Sequence, residues 1–175
     1  RKCNDELADI IGNFIHRALT FIRRFFDGEV PEAGELDESD LAMLEAIRKA
    51  ALENERQMEQ FNFAGAAKAV VELAAEGNRY FNLKEPWAAV REDKRRAAPA
   101  VYISACVARA IAVLLEPFTP FSAERLWRML GEAGDAHFGN WHKIFEPVEP
   151  GRRLGRVEPL FRRLEPRAIE RKKAE

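Results

Sequence analysis

Cysteine and histidine are scarce in this sequence. Two cysteines, Cys3 and Cys106, and three histidines, His16, His137 and His142, are spread over 175 residues. Their spacing matches no metal-ligand pattern and supports no disulfide framework. The cysteines read as free thiols of a cytoplasmic protein. No apolar run reaches the ~18 residues that a membrane span needs, and no signal peptide is visible. Glycine occurs ten times but forms neither a phosphate-cradling loop nor a dinucleotide fingerprint. A nucleophile elbow is missing as well. So is any strand-like alternation of apolar and polar residues. Nothing points to a catalytic site, a metal site or a cofactor site in this chain. A binding or interaction module is the reading that remains.

What is present is helical periodicity on a globular composition, with 47% hydrophobic and 33% charged residues. The chain opens on Arg1 rather than methionine, which predicts a piece of a longer protein. Net charge is −1, unevenly spread: nine Lys/Arg against four Glu from Gly151 onward, and 19 basic against 25 acidic residues before it. A local basic face of this kind suits nucleic acid even when the whole is near neutral.

Five longer helices and one short one are predicted. The first spans 5–26, with Leu7, Ile10, Ile11, Phe14, Ala18, Phe21, Ile22 and Phe25 as the buried stripe. Asn4 or Asp5 is the candidate cap, and Asp27-Gly28 the stop. The second spans about 39–61, capped by Asp37, Ser39 or Asp40, with Leu41, Leu44, Ile47, Ala51, Met58 and Phe61 inward. The third runs about 63–82, with Phe63, Ala67, Val70, Ala74 and Phe81 on one face. Its alanines predict close helix approach. Pro86 suits the first turn of a short helix, and "EDKRR" (92–96) reads as a solvated cluster. Pro99 to Leu115 is apolar all round, a central helix; Arg109 inside it must pair with a carboxylate or snorkel to the surface. Pro117 stops that helix, and Thr119 and Pro120 start another, with Leu126, Trp127 and Leu130 inward. Trp127 and Trp141 are assigned to packing. The expected fold is all-α: an antiparallel bundle of about five helices over 1–130. An irregular extension, 131–175, packs back on it and ends in a charged tail.

One constellation remains on the surface. Asn13 and Arg17 lie one turn apart, on a face shared with His16, Thr20 and Arg24. An asparagine amide matches the edge of a base, and an arginine fork grips a base edge or a phosphate. Trp87, directly after Pro86, offers a flat surface on which an unpaired base can stack. Each feature alone has a plainer reading, a solvated helix face or a hydrophobic staple.

Taken together, the motifs resemble a known family. "ELADIIGNFIHRALTFIRRFFDG" resembles the opening helix of the C-terminal anticodon-binding domain of methionyl-tRNA synthetases, and "NRYFNLKEPW" is similar to that family's Asn–aromatic–Pro-Trp segment. "LLEPFTPFSAERLWRMLG" looks like a motif shared with the class I synthetases for leucine, isoleucine and valine, and "PLFRRLE" resembles the family's usual ending. The resemblance covers roughly residues 3–165. It implies that Asn13, Arg17 and Trp87, with Pro86, contact the CAU anticodon loop of methionine tRNA. Arg24 and Arg91 become candidate phosphate contacts, Asn78 and Tyr80 are expected to position the Trp87 turn, and His16 stays open. It also implies a separate catalytic domain that uses ATP and Mg and carries HIGH and KMSKS signatures, neither of which occurs here. That domain is the expected partner within the same chain, and no membrane is expected. The alternatives are the equivalent domain of a sister synthetase, or a helical protein-interaction module.

Overall fold

The computed structural model describes residues 3–137 and 139–164. The side chain of Cys3 and the expected charged tail, 167–175, lie outside the described residues. Asn13–Phe25 forms α1, continuing without a break from a wider π-helical lead-in, Cys3–Gly12. The other helices are α2 (Glu38–Glu59), α3 (Phe63–Lys84), the short α4 (Pro86–Glu92), α5 (Lys94–Leu115) and α6 (Pro120–Met129). A 3-10 turn, Trp141–Ile144, follows. Among the described residues the only pairing outside helices is an isolated bridge between Glu29 and Arg153. The five longer helices match the expected all-α bundle.

Local chemistry sets most boundaries. Asp37 caps α2: its Oδ1 accepts from the Ser39 N–H at 2.9 Å and the Asp40 N–H at 3.1 Å. Asp40 Oδ2 accepts from the Asp37 N–H at 2.9 Å, which closes a capping box. Asn62 caps α3 through the Gly65 N–H. α1 ends where expected: Asp27 and Gly28 take positive φ, and the Gly28 N–H returns to Ile22 O.

Other boundaries differ from the expectation. Asn4 does not cap the first helix. Its amide pairs with Leu164 instead, donating to the carbonyl at 3.0 Å and accepting from the N–H at 2.8 Å. α5 starts five residues before Pro99, because Asp93 caps it through the Arg95 N–H at 2.8 Å. "EDKRR" is therefore a helix junction rather than only a solvated cluster. Thr119 precedes α6, but its hydroxyl makes no capping bond and is buried without a partner among the described residues. Leu41, Phe61 and Phe63, expected inward, are exposed. Met43 and Ala66 fill the places facing the core. Phe61 sits in the tight α2–α3 turn with φ 57°, where the chain reverses and neither helix covers it.

α5 is the core. Almost every residue from Ala97 to Leu115 is buried, and α1, α2, α3, α4 and α6 all pack on it. It is the one helix among the described residues long and apolar enough to cross a membrane, and here it is enclosed by the bundle. Its single interior charge, Arg109, is 3% exposed. The guanidinium donates to Pro147 O at 3.2 Å and to Glu146 O, and lies 3.7 Å from Glu132 Oε1. Lys143 and Arg152 pair with the same buried Glu132. The segment after α6 is thus fastened to the core helix by charge. It then runs back along α6 and α1, where Gly155 donates to Met129 O at 3.0 Å, Arg125 donates to Leu160 O at 2.6 Å and Arg163 meets Asp9. A Cβ on Gly155 would stand 2.3 Å from Arg128 O, so only glycine permits this approach.

The capping contacts and a Lys84 ion pair hold the Asp37 carboxyl well below the usual aspartate range. Its contribution is therefore full above an unfolded pKa near ~3.9 and is lost as pH falls through that value toward the depressed folded one. Asp37→Ala should cost about 1 kcal/mol in urea unfolding at pH 7. The gap to wild type should narrow below about pH 4; a gap independent of pH would mean that the carboxylate charge plays no part.

Candidate nucleic-acid interface

Consecutive long helices alternate in direction, so α1 and α3 run side by side the same way. They touch most closely at Gly77, where a Cβ would stand 2.7 Å from the Phe14 ring. The polar edges of the two helices therefore face each other at bonding distance.

Asn78 lies at the centre. Its Nδ2 donates to Ile10 O at 3.0 Å and Ala74 O at 3.1 Å. Its Oδ1 accepts from Asn13 Nδ2 at 3.2 Å and from Arg17 Nη1 at 3.4 Å. One turn on, Asn82 Oδ1 accepts from Arg17 Nη2 at 2.7 Å. The Arg17 guanidinium also lies 5.0 Å from the Phe81 ring centre and 5.8 Å from that of Trp87. Its burial lowers its pKa from the ordinary arginine value, yet the group stays charged at any working pH. A partly desolvated, stacked and doubly held guanidinium is orientated before any ligand arrives. Asn13 is exposed, and among the described residues nothing donates to its Oδ1. That oxygen faces outward with an acceptor to offer.

Pro86 takes the first position of α4 and is buried, so it shapes the turn rather than presenting a surface. Trp87 is 37% exposed, with its ring 6.0 Å from that of buried Phe81. Phe81 in turn meets Phe21 edge-on at 5.8 Å. An aromatic ladder from the core thus ends in a half-open indole. Beside it lies a shallow cleft of about 270 Å³ lined by His16, Arg17, Thr20, Phe21, Arg24, Phe25, Phe81 and Trp87. Arg24 stacks over Phe25 at 5.1 Å. Arg91 is exposed on α4 and does not line this cleft. A larger cleft of about 710 Å³, at the other end of α3, is lined by Leu7, Ile10, Val71 and Phe118 together with Glu6, Lys68, Glu72 and Thr119, and holds neither a tryptophan nor an arginine.

The chain matches the family described as the anticodon binding domain of methionyl tRNA ligase over residues 30–174. It belongs to that family. It is similar to the methionine–tRNA ligases of Pyrococcus furiosus, at 41% identity over 93% of this chain and 22% of that protein, and of Methanobrevibacter smithii, at 35% identity over all of this chain and 26% of that protein. Its fold is similar to that of the apo methionyl-tRNA synthetase of Mycobacterium tuberculosis, with a TM-score of 0.87 at 26% identity, covering 94% of this chain and 34% of that one. The chain thus spans about a quarter of the length of the curated relatives it matches. The family match is to the methionine enzyme, which leaves the sister-synthetase alternative without support.

One partner in the site was missed from sequence. Tyr80, expected to position the Trp87 turn, points to α2, where its hydroxyl donates to Asp40 at 2.5 Å. Asn82 was not singled out. The available signal was the spacing of Asn78, Phe81 and Asn82, one face of a helix, mirroring Asn13 and Arg17. Among the described residues no group of three His, Cys, Asp or Glu could hold a metal ion.

Gly77→Ala tests the helix contact that builds the site. Alanine is the better helix former by ~0.8–1 kcal/mol, and overpacking against Phe14 costs ~1–3 kcal/mol, so the change should be a net destabilisation of up to ~2 kcal/mol in urea unfolding. Stabilisation by this change would show that the two helices are not in close contact.

Proposed function

We propose that this domain recognises the CAU anticodon loop of methionine tRNA through the face built by Asn13, Arg17 and Trp87. The convergence of a half-open indole, a desolvated guanidinium and an outward-facing amide around one cleft carries the reading. An anticodon base freed from its stack can lie on Trp87, which contributes about 1–3 kcal/mol without choosing among bases. The Watson–Crick edge of a neighbouring base meets Asn13 and Arg17, and a bidentate contact there discriminates by about 1–3 kcal/mol. Phosphates pass the outer rim: Arg24 beside the cleft, Arg91 further along α4, and Thr20 and His16 as hydrogen-bonding neighbours. Those contacts add salt-dependent affinity and no sequence information. Pro86 serves by fixing the backbone under Trp87.

The larger protein, on this reading, is a cytoplasmic methionine–tRNA ligase. ATP and Mg act in its catalytic domain, and this chain contributes the choice of tRNA. Binding energy gained at the anticodon then helps to place the acceptor end for aminoacylation.

Two anticodon stem-loops, one CAU and one with its first anticodon base changed, should differ in affinity for this chain by more than about 1 kcal/mol at a fixed salt concentration. Trp87→Ala should weaken both by about 1–3 kcal/mol with the bundle still folded by circular dichroism. Equal binding of the two stem-loops would reject Asn13 and Arg17 as the reading pair. Unchanged affinity in the Trp87→Ala variant would reject the stack.

A further inference from the structure

The indole of Trp87 has no hydrogen-bond partner among the described residues; its ring lies against Phe81 and Arg17. With no polar anchor of its own, its direction depends on the backbone of the turn that carries it. That turn is strained. Glu85, between α3 and α4, adopts φ 42° and ψ 54°, a left-handed conformation that is unfavourable for a residue with a Cβ. Something must keep it there.

The residue before it is the anchor. Lys84 extends toward α2 rather than into solvent, and its side chain is only 15% exposed. Its Nζ lies 2.8 Å from Asp40 Oδ1, 2.7 Å from Asp37 Oδ2 and 3.4 Å from Ser39 Oγ. Asp40 is buried and receives the Tyr80 hydroxyl on the same Oδ1 at 2.5 Å. Burial opposes charge on Lys84, but the two carboxylates outweigh it and raise its pKa. Tyr80 and Lys84, one turn apart, clamp the end of α3 to α2. Asn78 and Asn82, also one turn apart, hold the neighbouring face of α3 to α1.

We infer that the buried Asp40–Tyr80–Lys84 cluster is a positioning device that holds the Glu85–Pro86 turn, and so Trp87, in the orientation that stacks a base. This rests on the proposal that Trp87 meets RNA. Lys84 itself is a positioning residue and not an RNA contact: its amine is turned inward and spent on carboxylates.

The test labels the 175-residue protein with 5-fluorotryptophan and follows the 19F resonances of Trp87, Trp127 and Trp141, with Trp87 assigned from Trp87→Phe. Lys84→Met keeps the aliphatic stem and removes the charge. It should shift or broaden the Trp87 resonance, leave the signals of Trp127 and Trp141 in place, and weaken the CAU stem-loop about tenfold with an unchanged salt slope. Tyr80→Phe deletes one oxygen only and should move the same resonance less, in the same direction; it serves if Lys84→Met does not fold. A Trp87 resonance unmoved in the folded variants overturns the inference, whatever happens to the melting temperature. A salt slope reduced by about one phosphate also overturns it, because Lys84 would then be touching RNA. Should Trp87→Ala itself leave RNA affinity unchanged, the stacking proposal fails separately, and the resonance alone still decides whether the tether orients Trp87.

Discussion

The absence of a side chain at Gly77 is the constraint on which the candidate site depends. With no Cβ there, the ring of Phe14 fits against the backbone of α3. Asn13 and Arg17, on either side of that ring in the helical order, then reach Asn78 and Asn82 directly. The same approach lines up Phe21 with Phe81 and brings Trp87 to the end of an aromatic series that starts in the core. An added Cβ would force these polar edges apart by several tenths of an ångström before it reached ordinary contact with the ring. Each bond is individually modest, about 0.5–1.5 kcal/mol net, so a small displacement would undo the arrangement. Protein interiors transmit such displacements because they are close-packed.

Charge is used inside this fold to fix direction rather than to add stability. Buried Arg109 on the core helix and the partly buried Lys143 and Arg152 all converge on one buried carboxylate, Glu132, and Arg152 also meets exposed Glu149. Desolvation makes a network of this kind weak evidence for net stabilisation, though removing one member would cost about 3–5 kcal/mol. What it does achieve, together with buried Ile144, Val148, Leu154 and Leu160, is a defined path for the irregular segment after α6. Asp40, Tyr80 and Lys84 form a second such knot, at the opposite end of the bundle from the turn between α2 and α3.

The helices were legible in the sequence because their apolar residues recur at three- and four-residue steps and their caps are chemically plain. Asp37 with Asp40, Asp27-Gly28 and Pro86 announce themselves without any tertiary information. The misjudged residues share a cause. Leu41, Phe61 and Phe63 sit at helix ends, where periodicity says which face a residue is on but not whether another helix extends far enough to cover it. Asn4 is a good cap by type, yet a partner 160 positions away took its amide. The site was legible only in part. Asn13, Arg17 and Trp87 carry distinctive side chains, whereas the residues that hold them, Asn78 and Asn82, look like ordinary polar surface of α3. Long-range hydrogen bonds leave no local mark. Tyr80 shows the same limit: two positions from Asn78 on a helix means the far side, and the carboxylate that receives it is 40 residues earlier.

Affinity and discrimination would draw on different parts of this face. A flat, half-open indole is equally good for any base, so rigidity rather than chemistry decides what it contributes: a ring already held in place loses little freedom on binding. Arg17 is already partly desolvated in the free protein, being stacked on Phe81 and bonded to Asn82. A base edge that competes for its outer N–H groups therefore meets a donor fork whose orientation is fixed. A wrong base leaves that fork, and the Asn13 carbonyl, facing a mismatched edge in a partly dry cleft, where an unmet polar group costs more than in water. Selectivity in such a site comes chiefly from what the wrong ligand fails to satisfy, and it requires that Asn78 and Asn82 do not yield. The close contact at Gly77 resists part of that yielding, because α1 and α3 cannot approach further or slide freely without driving Phe14 into the backbone of α3.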